Sequence, residues 1–326
     1  MKDTFGREIN YLRISLTDRC NLRCVYCMPM HGLTFVPNDE LLSVDELEMV
    51  VRAAVETGFN KVRLTGGEPT LRQDIVEIVE RLANIEGVDQ LVMTTNGYRL
   101  PYIAEDLVKA GLKRVNIHVD SLIKDSITKI MRLGSYDKAW AGIEAAEKAG
   151  LTPIKLNAVI TRGYNDDAAV ELSKLSLYKP WQIRFIELMP FAGPTEIQLE
   201  HYVSSDEIKG WIEAALGPLF EVNEGKLDGE ARVYRLAGAE GTVGFISPVS
   251  NPYCDDCNRM RLTADGRLRM CLLVDGEINF KDTLRNGGTH QDLVRFFEKA
   301  ITVKPVGHSL KNGIRPENRT MSQIGG

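Results

Sequence analysis

Six cysteines fall in two sets of three, Cys20, Cys24 and Cys27 early in the chain and Cys254, Cys257 and Cys271 late in it. The first set has the spacing C-x3-C-x2-C and the second C-x2-C-x13-C. Three thiolates so close in sequence can converge on one metal centre. A structural zinc site closes with four ligands; beside the first set only His31 offers a fourth, and no fourth ligand is evident near the second. Iron–sulfur clusters are usually held by four cysteines, so three would leave one iron open to a substrate or cofactor. Zinc completed by His31, a zinc ribbon, or buried thiols are the alternatives. Disulfides are not expected in a reducing cytosol.

A second chemical signal is Gly66-Gly67-Glu68-Pro69, closing a candidate strand that contains Arg63. Such a pair is an ordinary turn, yet it also lets a backbone approach a ligand closely. It fits neither the dinucleotide-binding nor the P-loop pattern. Polar residues end other candidate strands: Thr94-Thr95-Asn96-Gly97, His118-Val119-Asp120-Ser121, and Met189.

These residues need elements to position them. Short Val-, Ile- and Leu-rich runs at 11–17, 61–65, 90–95, 114–120, 154–160 and 182–188 predict buried parallel strands. Helical patterns fall between them; Ser43 with Glu46 predicts a capping box, and Gly58, Gly111 and Gly150 sit where helix ends are expected. The rhythm predicts an α/β fold, an incomplete (βα)6 TIM-type barrel with reacting groups at the C-terminal strand ends. It breaks after 190–194, and the later runs at 219–223, 231–236 and 242–247 predict a smaller α+β region carrying the second cysteine set. The expected division is 1–215 and 216–326.

The first cysteine set, with Tyr26 before its last member and Gly66-Gly67-Glu68 downstream, resembles the radical S-adenosylmethionine (SAM) superfamily. The run Cys257-Asn258-Arg259-Met260-Arg261-Leu262-Thr263, through Asp265-Gly266 to Cys271-Leu272, and the terminal Gly325-Gly326 resemble the GTP 3′,8-cyclase family over essentially the whole chain. The resemblance implies two [4Fe–4S] clusters on the six cysteines, SAM as cofactor and GTP as substrate. It implies conversion of GTP to 3′,8-cyclo-7,8-dihydro-GTP, the first step of molybdenum-cofactor synthesis. By it, Arg13, Arg259 and Arg261 are catalytic. GTP contacts fall to these and to Arg63, Thr94 and Lys155, with Lys61, Asn157 and Arg184 as further candidates. SAM contacts fall to Tyr26, Gly67 and Met189, and to His118 where the family usually has Ser; an imidazole can also donate or accept a hydrogen bond. An external electron donor, a homodimer and a downstream cyclic pyranopterin monophosphate synthase are implied too, and the tail is expected to reach the active site. The rivals are a radical SAM peptide-modifying enzyme with an auxiliary cluster and a non-catalytic metal-binding scaffold.

Bulk properties agree. The 326 residues are 44% hydrophobic and 26% charged, with a formal net charge of −5. That balance argues against a general nucleic-acid or membrane-surface binder, so an anionic substrate needs a local basic pocket. No apolar run approaches the roughly eighteen residues of a membrane span, and the expected location is cytoplasmic.

Overall fold

The structure, a computed structural model, describes residues 1–191, 197 and 199–325. Much of the expected break at 190–194, and the terminal Gly326, lie outside the described residues. Strand–helix alternation occupies the first part of the chain: β1 (Tyr11–Ser15), α1 (Val44–Glu56), β2 (Lys61–Thr65), α2 (Ile75–Ala83), β3 (Gln90–Thr95), α3 (Leu100–Lys109) and β4 (Arg114–His118). It continues through α4 (Lys124–Met131), α5 (Tyr136–Lys148), β5 (Lys155–Val159), α6 (Ala168–Tyr178) and β6 (Gln182–Ile186). The later part holds α7 (Ser205–Leu216), β7 (Leu219–Glu221), β8 (Arg232–Leu236), β9 (Thr242–Ile246), β10 (Arg259–Leu262), β11 (Arg267–Arg269) and β12 (Glu277–Asn279). Three helices close the chain, α8 (Lys281–Arg285), α9 (His290–Thr302) and α10 (Met321–Ile324). No helix among the described residues is long and apolar enough to cross a membrane.

The expected barrel strands pair in parallel in sequence order, as an incomplete parallel barrel requires. The late strands do not form a sheet of their own. Among the described residues a single 12-stranded sheet runs β12-β11-β10-β1-β2-β3-β4-β5-β6-β9-β8-β7. Strand β10 pairs parallel with β1, and β9 parallel with β6. An incomplete barrel leaves unpaired N–H and C=O groups on both outer strands; the C-terminal part satisfies both edges. Sequence reading did not anticipate β10, because four residues with arginine at alternate positions do not read as a buried strand.

Local chemistry sets the helix ends. Ser43 Oγ accepts from Glu46 N at 3.2 Å, and Glu46 Oε2 accepts from Ser43 N at 2.8 Å, the expected capping box on α1. Thr289 and Asp292 form an equivalent box on α9. Helix α9 packs on α1, and its Phe297 ring lies 5.3 Å from Phe59, just beyond α1, and 5.0 Å from Phe280, just before α8.

What matters for function is the alternation along the strands. Leu12, Ile14, Val62, Leu64, Val115, Ile117, Ile183 and Phe185 are buried in the core cluster. Their neighbours Tyr11, Arg13, Arg63, Asn116, His118, Lys155 and Arg184 line interior cavities instead. Because strand side chains alternate, each strand gives one face to the core and a polar face to the lumen. The two faces separate in mutagenesis: Leu64→Ala should lower unfolding stability by about 2–5 kcal/mol. Arg63→Ala, one position away, should cost less, because loss of its bonds to Tyr11 and Thr94 is offset by removal of a buried cation. Denaturant titration of the reduced, metal-free protein checks this, and equal losses would contradict the assignment.

Candidate active site

The first cysteine set occupies the loop after β1, at the C-terminal end of the strand as a barrel requires. Its approach is fixed by the glycine turn. Gly67 N donates to Thr17 O at 2.6 Å and Glu68 N to Arg19 O at 2.8 Å. A Cβ on Gly67 would lie 2.4 Å from Arg19 O, so only glycine admits this contact. The backbone that approaches Gly67 so closely is therefore the segment leading to Cys20, and the Gly67 amide is committed to it. Glu68 is buried: its Oε1 accepts from Thr70 N (3.0 Å), Thr70 Oγ1 (2.5 Å) and Thr95 Oγ1 (2.7 Å), its Oε2 from Asn96 N (2.7 Å). Burial holds its carboxyl above the ordinary value despite these donors. Arg23 Nη1 clamps the loop through Cys20 O (2.6 Å) and Leu22 O (2.8 Å).

Tyr26, His118 and Asp120 form one knot beside Cys24. The Tyr26 hydroxyl donates to Asp120 Oδ2 at 2.6 Å and lies 2.6 Å from His118 Nε2, which is 3.0 Å from the same carboxylate oxygen. Burial disfavours the imidazolium, yet Asp120 raises the His118 pKa above its ordinary value. Cys24, His118 and Asp120 could geometrically hold an ion. However, Asp120 Oδ1 accepts from Val159 N at 2.7 Å and its carbonyl from Asn165 Nδ2 at 2.8 Å, so it already has a structural task. Cys24 instead belongs with Cys20 and Cys27. None of the six cysteines forms a disulfide. Burial pushes the Cys20 thiol up to about 11, the Cys27 thiol up to about 12, and Cys24 well above the usual range. Buried thiols of this kind ionise when a metal replaces the proton, and three of them around a cavity of about 200 Å³ suit a cluster with one open position.

The second set, Cys254 and Cys257 before β10 and Cys271 after β11, lines a small cavity of about 60 Å³ with Tyr253, Arg259 and Arg261. Buried Arg7 ties it to the late chain, donating to Cys254 O (2.8 Å), Val306 O (2.8 Å) and Pro305 O (2.7 Å) while paired with Asp3. Lys304 Nζ donates to Arg259 O (2.8 Å) and Met270 O (2.6 Å). A Cβ on Gly307 would lie 3.1 Å from Cys254 Sγ, a space left open beside the thiol. Burial would raise the Cys257 thiol too, but Arg259 and Lys304 bring it down to about 7.

Toward the N-terminal ends of the strands the lumen is cationic. A cavity of about 830 Å³ is lined by Lys61, Arg63, Arg114, Lys155, Arg184 and Arg259, and shares Arg184, Glu230, Tyr253 and Arg259 with the cavity at Cys20, Cys24 and Cys27. The sheet register puts Arg13 level with Arg63 on one side and Arg261 on the other, and Tyr11 level with Arg259. Arg63 donates to the Tyr11 hydroxyl and, at 3.1 Å, to Thr94 Oγ1. Arg184 Nε donates to Asn157 Oδ1 at 2.9 Å. Burial drives the Arg184 pKa down to about 10, and burial together with neighbouring arginines lowers Arg13 and Arg261. The structure thus gathers Arg13, Arg63, Thr94, Lys155, Arg259 and Arg261 around one lumen, and Tyr26, Gly67, His118 and Met189 around the first cysteine set.

The tail enters this lumen as expected as far as Gly325. Arg319 pairs with Asp265 (2.9 Å) and Glu277 (2.6 Å), and a Thr320–Gln323 capping box starts α10. Met321 and Ser322 line the cavity that holds Cys20, Cys24 and Cys27. Gly325 O accepts from Arg261 (3.0 Å), Thr65 Oγ1 (3.3 Å) and Arg13 (3.4 Å). Sequence reasoning missed Asp228 and Glu230, which face the cations, and Arg7, Lys304 and Arg319, which hold the loops. Arg114 could have been found from strand alternation; the others carry no sequence signal.

The fold and the thiol-lined site define a radical SAM protein, and residues 14–175 match the model of the Radical SAM superfamily. Residues 181–310 match the Molybdenum Cofactor Synthesis C family. The chain is 48% identical to GTP 3′,8-cyclases of Moorella thermoacetica and Pelotomaculum thermopropionicum and 47% identical to that of Thermodesulfovibrio yellowstonii, over the full length of each. It belongs to the GTP 3′,8-cyclase family. Among solved structures it is similar to Streptococcus suis SuiB bound to S-adenosylmethionine (TM-score 0.60, 15% identity, 84% of this chain and 64% of SuiB), a likeness of fold alone. Superfamily membership implies SAM and one [4Fe–4S] cluster.

Gly325 has φ 69°, and a Cβ there would lie 2.7 Å from Thr65 Cγ2. Strain of about 1–3 kcal/mol attends a non-glycine residue in that region. Gly325→Ala should therefore speed amide exchange across 320–325 by roughly tenfold or more; unchanged protection would show that the tail docks without this glycine.

Proposed function

We propose that this chain cyclises GTP to 3′,8-cyclo-7,8-dihydro-GTP, the first step of molybdenum-cofactor synthesis. The observation that carries the reading is a lumen lined by buried cations and flanked by two separate sets of three thiols. Cys20, Cys24 and Cys27 would hold one [4Fe–4S] cluster, and Cys254, Cys257 and Cys271 a second, each with an open iron, the first for SAM and the second for the guanine. When bound and given one electron by an external donor, the first cluster and SAM would supply a 5′-deoxyadenosyl radical to take the ribose 3′ hydrogen; closure of the resulting carbon radical on guanine C8 would then need one more electron and a proton to give the 7,8-dihydro product.

The chain's own residues bind, orient and shield. Arg63, Lys155, Arg259 and Arg261, with Arg13 and Thr94, are suited to the triphosphate: a guanidinium fork matches phosphate oxygens. Cations outnumber carboxylates among the described residues of the larger cavity. Buried positive charge that lacks full compensation is costly, and an entering polyanion relieves that cost. Arg13, Arg259 and Arg261 are the proposed catalytic residues; Arg13 and Arg261 are oriented by Gly325 O. Tyr26, Gly67, His118 and Met189 are the proposed SAM contacts. His118 replaces the hydroxyl usual in the family with an imidazole already fixed by Asp120. Residues 1–215 would serve SAM chemistry and 216–326 the second cluster and the tail. An external electron donor, a homodimer and a cyclic pyranopterin monophosphate synthase acting on the product complete the proposal.

Anaerobic reconstitution tests it. Two clusters predict on the order of eight irons per chain, 5′-deoxyadenosine formation that requires GTP, and transfer of ribose 3′ deuterium into that product. Zinc, or cleavage of SAM indifferent to GTP, would refute it. Arg261→Ala should lower cyclisation on the order of a hundredfold, as loss of a site-directed donor does, with iron content unchanged. Deleting Gly325 and Gly326 should abolish cyclisation with both clusters retained. Loss of iron in either variant would make those residues structural.

A further inference from the structure

The segment joining β7 to β8 sends two carboxylates into the cationic cavity. Asp228 Oδ2 accepts from Lys155 Nζ at 2.5 Å and Gln182 Nε2 at 3.0 Å, neighbours on β5 and β6. Glu230 Oε1 accepts from Arg259 Nη1 at 2.5 Å on β10 and lies 3.9 Å from Arg13 Nη1 on β1. Two residues apart, they reach cations on distant strands of the sheet. The segment that carries them closes on itself. Asp228 and Ala231 exchange backbone hydrogen bonds of 2.9 and 3.2 Å around Gly229, and Lys226 N donates to Asn223 O at 3.0 Å. It is thus a small hairpin anchored to the barrel by its charges, and the Asp228 side chain is 40% exposed while Lys155 is 8% exposed. A half-exposed ion pair is weak, whereas a triphosphate carries more charge than the carboxylate it would replace.

We propose that Asp228 and Glu230 are resident counter-anions, which hold Lys155 and Arg259 in position and reject weak anions, and that Asp228, the more exposed of the two, is exchanged for a phosphate group as the substrate enters while Glu230 stays on Arg259. The inference rests on the reading that this cavity takes the triphosphate of GTP. It makes the two residues determinants of substrate selection: the site opens only to an anion able to outcompete Asp228. Where a closed form outnumbers the open one, apparent affinity falls by the same factor.

The test uses reconstituted full-length protein and its Asp228→Asn variant, titrated calorimetrically with inorganic phosphate, tripolyphosphate and GTP. The variant should bind tripolyphosphate and GTP about tenfold more tightly than wild type and should gain measurable affinity for inorganic phosphate. In wild type, tripolyphosphate should speed amide exchange at Asp228 and Ala231, a readout that stands even if the variant fails to fold. Equal or weaker binding by the variant, or increased protection of those amides, would overturn the exchange while leaving the substrate reading intact. Failure of wild type to bind GTP would remove that reading, and this inference with it.

Discussion

Buried positive charge organises this protein. The parallel strands β10, β1, β2, β5 and β6 direct Arg13, Arg63, Lys155, Arg184, Arg259 and Arg261 into one lumen, where burial lowers the pKa of several of them. A cation taken from water must find anions or acceptors nearby, or its cost is charged against folding. The chain meets the demand from elements remote in sequence. Glu230 answers Arg259 and Arg13, Asp228 answers Lys155, and the carbonyl of Gly325 answers Arg261. Against its own burial, Glu230 is held ionised far below the usual carboxylate range by the guanidinium groups around it.

That requirement accounts for the architecture beyond the barrel. Strands β9 and β10 sit on the two edges that an incomplete barrel leaves open, and β10 brings Arg259 and Arg261 level with Tyr11 and Arg13. Edge pairing and site assembly are the same event. Arg7 and Lys304 then fix the second cysteine loop through backbone carbonyls, and Arg319 fixes the tail through Asp265 and Glu277. The two families matched along the chain meet close to β6, at residues 175 and 181, ahead of α7. The later part contributes strands to the sheet of the earlier one, and neither part would enclose the lumen without the other.

The glycines read differently in sequence and in structure. Gly66-Gly67 read in sequence as a turn that admits close backbone approach; in the structure it packs against the backbone of residues 17–19, which carries the first cysteines to their place, and also lines their cavity. Gly325 needs both a left-handed backbone and a side that bears no carbon against Thr65 and Ser15.

Much was legible in the residues alone, because the signals are local. Cysteine spacing, the Gly-Gly-Glu turn, the capping box at Ser43 and the strand–helix rhythm each depend on neighbours a few positions away. They were enough to place the six cysteines, the parallel strands and most of the lumen-facing cations. Other features were decided by the tertiary structure, since they depend on which distant segments become neighbours. Asp228 and Glu230 lie in what reads as a solvated turn until the β7–β8 hairpin places them against Lys155 and Arg259. Arg7, Lys304 and Arg319 read as surface charges until they meet carbonyls and carboxylates tens or hundreds of positions away. Strand β10 becomes a strand only beside β1, where its ladder partners are supplied and its arginines face other arginines across a shared cavity.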